Sequence, residues 1–197
     1  MSAAWVIFIA TIVASLAGLF VAPKVIERSL FRPYYFLRNR QYDTIVTSGF
    51  VHADLTHLLF NMMTFYFFAF PLERRIGSVA FAALYAIGLV TSDVGTYFKH
   101  RNQPEYASLG ASGAISAALF AAIVYFPTQS IFILPIPFPI PAPLFAVLYL
   151  GYSWYSARHA RGRINHDAHI GGALAGLAFV MITDPRAFAG LMRTVMG

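Results

Sequence analysis

Twenty residues from Ala3 to Ala22 carry no charged side chain, and Pro23 closes the run. An α-helix needs roughly that length to cross a bilayer. Inside the hydrocarbon every backbone N–H and C=O must be satisfied within the protein, which leaves helices or closed barrels as spanning structures. Five further apolar stretches follow: about Thr56 to Leu72, ended by the charged turn "ERRIG"; Ser78 to Phe98; Ser112 to Phe126, short and stopped before Pro127; Leu144 to Tyr155; and Ala168 to Ile182, before Asp184 and Pro185. The expected fold is an all-α membrane protein, a six-transmembrane-helix bundle with a short buried fourth helix, forming one domain over residues 1–197. The N-terminal stretch lacks a basic n-region and exceeds the apolar core of a secretory signal, so it is expected to be a retained helix despite the small residues of "ASLAG".

Composition agrees with that class. The chain is 58% hydrophobic and 11% charged, whereas soluble domains are about 45–50% apolar and about 25% charged. With no cysteine, disulfides and thiolate chemistry are excluded. The net charge of +6 comes from Lys and Arg in the connections between apolar runs. That placement suits contact with lipid headgroups and a topology signal, and no nucleic-acid partner is expected. The connection from Pro23 to His52, with Lys24, Arg28, Arg32, Arg38, Arg40 and three tyrosines, reads as amphipathic interfacial structure or an exposed loop. The segment "ILPIPFPIPAP", with prolines at 135, 137, 139, 141 and 143, reads as an extended connector, since proline removes a donor and pushes its predecessor extended.

Six spans place the starts of the second, fourth and sixth helices on one face of the membrane. Those starts read "HADLTHLLFN", "SGAIS" and "HDAHIGG". Parity thus gathers His52, His57, Asn61, Ser112, His166 and His169 on one side. His57 and Asn61, spaced i,i+4, share a helix face; alone they read equally as polar glue between helices, worth about 0.6 kcal/mol on average in a measured case. Ser112 alone reads as a helix N-cap, and His169 alone as a ring bonded to a carbonyl. The small-residue rows alter that balance. Gly113, Ala117 and Ala121 follow Ser112, and Gly172 and Gly176 follow His169, so the two helices can approach backbone to backbone. A histidine base beside a serine converts a weak nucleophile into an active one. A helix starting at Ser112 adds free N–H groups and its positive dipole end to stabilise a developing oxyanion. Gly110 and Gly113 flank Ser112 in "SLGASGAISA", which leaves room for a backbone on both sides, the sixth helix behind and a substrate strand in front. The short fourth helix would start below the membrane surface and leave a recess for water.

Other motifs are weaker. "GASGA" is not GxSxG and lacks a strand–turn–helix context. Zinc on His52, His57 and His169, near Asp167, has no HExxH pattern behind it, and no metal or cofactor is expected. Asp93 is an acid at membrane depth and therefore a functional candidate; capping or loop pairing is the structural alternative.

These strings together resemble the rhomboid family of intramembrane serine proteases over roughly Asp43 to Ile182: "HADLTHLLFN", "LERRIGS", "GASGA" and "AHIGGALAG" in order. The resemblance implies a Ser–His dyad without an acidic third member. Ser112 would be the nucleophile and His169 the base. His57, Asn61 and the Ser112 N–H would form the oxyanion hole, and His52 would lie near the active-site mouth. Glu73 and Arg75 would match a structural turn. Substrates would be single-span membrane proteins whose helices unwind near small residues; a catalytically inactive relative that binds transmembrane helices is the alternative, and a metal-dependent membrane enzyme a third. Three departures stand out. The Trp-Arg pair common in the family's first loop is missing. Some members carry a tyrosine one turn after the nucleophile, stacked on the catalytic histidine, where this chain has Ser116. Finally, the first, third and fifth connections hold ten of the Lys and Arg residues and the opposite side only Arg74, Arg75, Arg186 and Arg193, which puts the active-site face in the cytoplasm. Bacterial members carry it outside, and the expected location is a bacterial inner membrane in that orientation.

Overall fold

The computed structural model describes residues 2–133, 137–159 and 164–196. The chain opens with α1 (Ala3–Leu16), extended by a π turn (Ala17–Val21) that ends before Pro23. Three short helices follow, α2 (Lys24–Ser29), α3 (Pro33–Arg38) and α4 (Thr44–Thr47), the last running into a 3-10 turn (Ser48–Phe50). The long elements are α5 (Leu55–Ile76), α6 (Ser78–His100), α7 (Ser112–Tyr125), α8 (Ala142–His159) and α9 (His166–Thr183); α10 (Pro185–Met196) closes the described chain.

The apolar runs thus became helices close to their expected bounds, with instructive differences. The second does not stop at Leu72. It continues through Pro71 and the charged residues to Ile76, where Gly77 at φ +84° ends it. Arg74 and Arg75 in the last turn complement the helix dipole. Glu73, 6% exposed, accepts a bond from the Ala4 N–H at 3.2 Å and bonds the Ser2 hydroxyl, so the end of α5 caps the start of α1. The fifth helix begins at Ala142, earlier than expected, with Pro143 in its first turn, where a missing N–H costs nothing. Upstream, Ser130–Ile131 pairs antiparallel with Ile140–Pro141; Pro135, and Arg161 and Arg163 of the next connection, lie outside the described residues.

Helix α7 is the axis of the bundle. Every residue from Gly113 to Val124 is buried, and α5, α6 and α9 pack around it. Outward-facing apolar side chains such as Val13, Phe67, Val79, Phe98 and Val147 are more than half exposed, a surface that suits lipid and not water. Among the described residues three helices are long and apolar enough to cross a membrane alone: α1 with its π turn, α5 and α6. α9 and α10 qualify jointly but are bent by 114° at Asp184, and α7 is apolar but shorter. This is an integral membrane protein with three to four spans by that measure, against the six expected.

Candidate active site

The loop before α7 is pinned from several directions. Phe31 and Ser108 exchange backbone bonds at 2.9 and 3.0 Å, and the Gly110 N–H donates to the Ser48 carbonyl at 2.9 Å. Gly110 sits at φ +120°, which L side chains rarely adopt. A Cβ there would also lie 2.6 Å from Cε1 of His57. The glycine therefore serves both the turn and the close approach of that ring.

His52 belongs to the same support. It is fully buried beneath the loop, one hydrogen bond from Ala111. Its Nε2 accepts from the Ala111 N–H at 3.4 Å. Ser15 gives its own proton to the Phe50 carbonyl at 3.2 Å, so Nδ1–H of His52 donates to Ser15 Oγ at 3.0 Å. The ring is thus a neutral link from α1 to the residue before Ser112. Burial, then the neighbouring His57, push its pKa down to about 3, with Asp54 opposing. In the unfolded chain the same ring has an ordinary value near 6.5. As pH falls below about 6.5 the unfolded state takes up a proton that the folded state refuses, so stability is lost progressively toward pH 3. The thermal midpoint in detergent should fall between pH 7 and pH 4, and His52→Gln should flatten that slope. Parallel slopes would remove His52 from the effect.

The start of α5 is capped by Asp54, whose carboxylate accepts from the His57 N–H at 2.7 Å. One N–H of the Asn61 amide bonds the His57 carbonyl at 2.9 Å, which leaves its second N–H. At the start of α9 the Asn165 side chain accepts from the Ala168 N–H at 3.1 Å and pairs with Thr96 of α6. Asp167 joins Lys99 of α6 at 2.7 Å. These contacts fix the first turn of α9 against α6, and with it the directions of His166 and His169.

α7 and α9 meet backbone to backbone. A Cβ on Gly172 would overlap the Gly113 carbonyl, one on Gly176 would lie 2.9 Å from the Ala117 Cα, and one on Gly113 would strike the Ser92 side chain. That closeness brings Ser112 and His169 to a common recess of about 420 Å³, which Asn61, Ser116, Tyr149 and His166 also line. The rest of the wall is mostly apolar, from α5, α7, α8 and the segment Ile131, Phe132 and Ile133, with Thr64 and Ser153 among it. His57 does not line it; its ring lies behind, against Gly110 and 4.9 Å from the His52 ring. No hydrogen bond joins Ser112 to His169, and among the described residues neither side chain has another partner. The N–H groups of Ser112, Gly113 and Ala114 also lack backbone partners, so the first turn of α7 presents donors beside the serine.

Asp93, 8% exposed, makes no ion pair among the described residues. It lines a separate cavity of about 20 Å³ behind Ser112, with Ser48, Ser92, Ser108 and Asn165. That is room for about one water molecule. Among the described residues no three His, Asp or Glu side chains stand close enough to hold a metal ion.

Two features carried no sequence signal. The His169 ring is packed by Tyr149 of α8, with centroids 6.0 Å apart and planes 22° from parallel. The Tyr149 hydroxyl bonds Ser116 at 2.8 Å. In addition, His166 packs edge-on against Tyr152 and His169.

Helical spans, an outer apolar surface and a largely apolar recess holding a serine and histidines define a multi-pass membrane protein with a candidate hydrolytic site. A Rhomboid domain model matches residues 39–186, and the chain belongs to the rhomboid family. It is 26% identical over 191 residues to RHOMBOID-like protein 12, mitochondrial, of Arabidopsis thaliana, covering 86% of this chain and 56% of that protein. It is 27% identical to Rhomboid protein 1, mitochondrial, of Saccharomyces cerevisiae, covering 82% and 48%. A 78-residue stretch is 40% identical to the candidate rhomboid protease YdcA of Bacillus subtilis (strain 168), covering 39% and 38%. The chain thus spans about half the length of the curated relatives it matches. Mitochondrial names among them do not fit the expected bacterial inner membrane, and the location stands as an integral membrane protein.

Proposed function

We propose that this chain is an intramembrane serine endopeptidase, a single rhomboid-like domain over residues 1–197 in which α1, α5, α6, α7, α8 and α9 all cross or enter the bilayer. The observation that carries this reading is the shared recess of Ser112 and His169 at the partnerless N-terminal turn of α7. Ser112 Oγ attacks the scissile carbonyl while His169 takes its proton. The oxyanion is held by the Ser112 N–H and the free N–H of Asn61, while the His57 ring, behind Gly110, supports the loop that carries Ser112. His169 then protonates the leaving amine, and water, activated by the same ring, hydrolyses the acyl-enzyme. The apolar walls suit a membrane segment, so the substrates are single-span membrane proteins unwound where small residues weaken the helix.

The missing Ser112–His169 hydrogen bond is the one observation favouring the other reading, a catalytically inactive relative that binds transmembrane helices. In ligand-free structures such bonds are often long and tighten with substrate. Reconstitution with a panel of single-span substrates separates the readings. The protease releases fragments with new termini in the span region; the binding protein captures substrate and releases none, whether or not Ser112 is present.

Asn61→Ala should slow cleavage by about 10²–10³, the effect of removing one oxyanion donor in a soluble protease, while Ser112 still reacts with an active-site probe. Turnover equal to wild type would take that residue out of the hole.

A further inference from the structure

The Ser116 hydroxyl donates to the Ser112 carbonyl at 2.8 Å. Its single proton is therefore committed, and in the 2.8 Å bond to Tyr149 the tyrosine must be the donor. The chain of bonds runs from Tyr149 O–H to Ser116 Oγ–H to the Ser112 carbonyl. The same Tyr149 ring lies offset against His169. One side chain of α8 thus touches α7 one turn from Ser112 and α9 at His169. Tyr149 is itself held by Phe145 of α8 and Phe120 of α7, at 5.6 and 5.5 Å between centroids. Helix α8 is otherwise thinly embedded, with only Ala142, Ser153 and Ser156 buried.

We infer that Tyr149 is the positioning residue for the Ser112–His169 pair, its hydroxyl tethering it to the turn of Ser112 and its ring setting the orientation of His169. This rests on the serine-protease reading. The His169 ring has no hydrogen-bond partner among the described residues, so nothing polar fixes its torsion. An aromatic face at offset-stacking distance restricts it instead. Because the tyrosine is carried by α8, the orientation of His169 depends on where α8 sits. A residue that merely filled space between α8 and the core would affect stability and leave the chemical step alone.

The experiment compares Tyr149→Phe, which keeps the ring and loses the tether, with Tyr149→Ala, which loses both, in purified full-length protein. A third protein carries Tyr149→Ala together with Ser116→Tyr, which offers a ring from α7 to the vacated space. Each is assayed for fluorophosphonate labelling, for kcat and KM on a cleaved substrate, and for the ring resonances of ¹³C-labelled histidine. Misplacement of a reacting group by about an ångström costs around 10²-fold, so Tyr149→Ala should lower kcat by about that factor with KM little changed. Tyr149→Phe should fall between it and wild type. The double variant should recover most of the lost rate, and the His169 resonances should move on loss of the ring and return with its replacement. Tyr149→Ala labelling at the wild-type rate, or a double variant no better than the single one, would overturn the positioning role while leaving the protease reading intact. A wild type that neither labels nor cleaves would end the protease reading, and this role with it.

Discussion

Ser112→Ala is expected to reduce peptide-bond cleavage to background while the protein remains folded. Loss of the nucleophile in a soluble serine protease lowers kcat by about 10⁶, and the residual rate there comes from binding and the oxyanion hole. The fold should not notice, because among the described residues the Ser112 hydroxyl has no hydrogen-bond partner. The structural bond of that turn is made by Ser116 to the Ser112 carbonyl, which alanine keeps. His169→Ala should cost a similar factor, since dyad members act as a unit and their effects do not add. The measurement is fragment release in liposomes beside the thermal midpoint. Loss of cleavage with an unchanged midpoint is the expected pair of results. Cleavage persisting in Ser112→Ala would move the chemistry elsewhere.

Gly172→Ala should produce the largest loss of stability of any glycine-to-alanine change among the described residues. Its Cβ would overlap the Gly113 carbonyl and lie 2.8 Å from the carbonyl carbon, so the obstacle is backbone and cannot turn aside. Overpacking of this kind costs about 1–3 kcal/mol, occasionally more. At the upper end that lowers the midpoint by about 6–12 °C for a chain of this size. Since the α7–α9 contact also brings Ser112 and His169 together, activity should fall at temperatures where the variant is still folded. Gly95→Ala is the matched control. A Cβ there meets nothing within 4 Å, and replacing a helical glycine gains up to about 1 kcal/mol. Opposite signs at the two positions would establish that α7 and α9 touch as described; equal shifts would contradict it.

Much of the helix plan was legible because apolar runs of membrane length admit few structures. The ends were less so. The charged turn "ERRIG" reads as a stop, yet Glu73 is needed at the start of α1, a contact between residues about seventy apart in sequence that no local pattern reveals. α10 lies beyond the last apolar run, and its signal is Pro185 at the first helical position with Phe188, Leu191, Met192 and Val195 at helical spacing. The gathering of Asn61, Ser112 and His169 followed from helix parity. The burial of His52 is not legible, because a histidine in a motif is indistinguishable by sequence from one buried to hold a loop. Tyr149 was invisible for a related reason. Its partners lie on α7 and α9, and only packing of three helices joins them.

The most direct measurement is reaction of purified protein with a fluorophosphonate probe, with the modified residue mapped by mass spectrometry. The expected result is a single adduct on Ser112 in wild type and none in Ser112→Ala or His169→Ala. An unreactive wild type shown to be folded, or an adduct on another residue, would contradict a Ser112–His169 hydrolytic site.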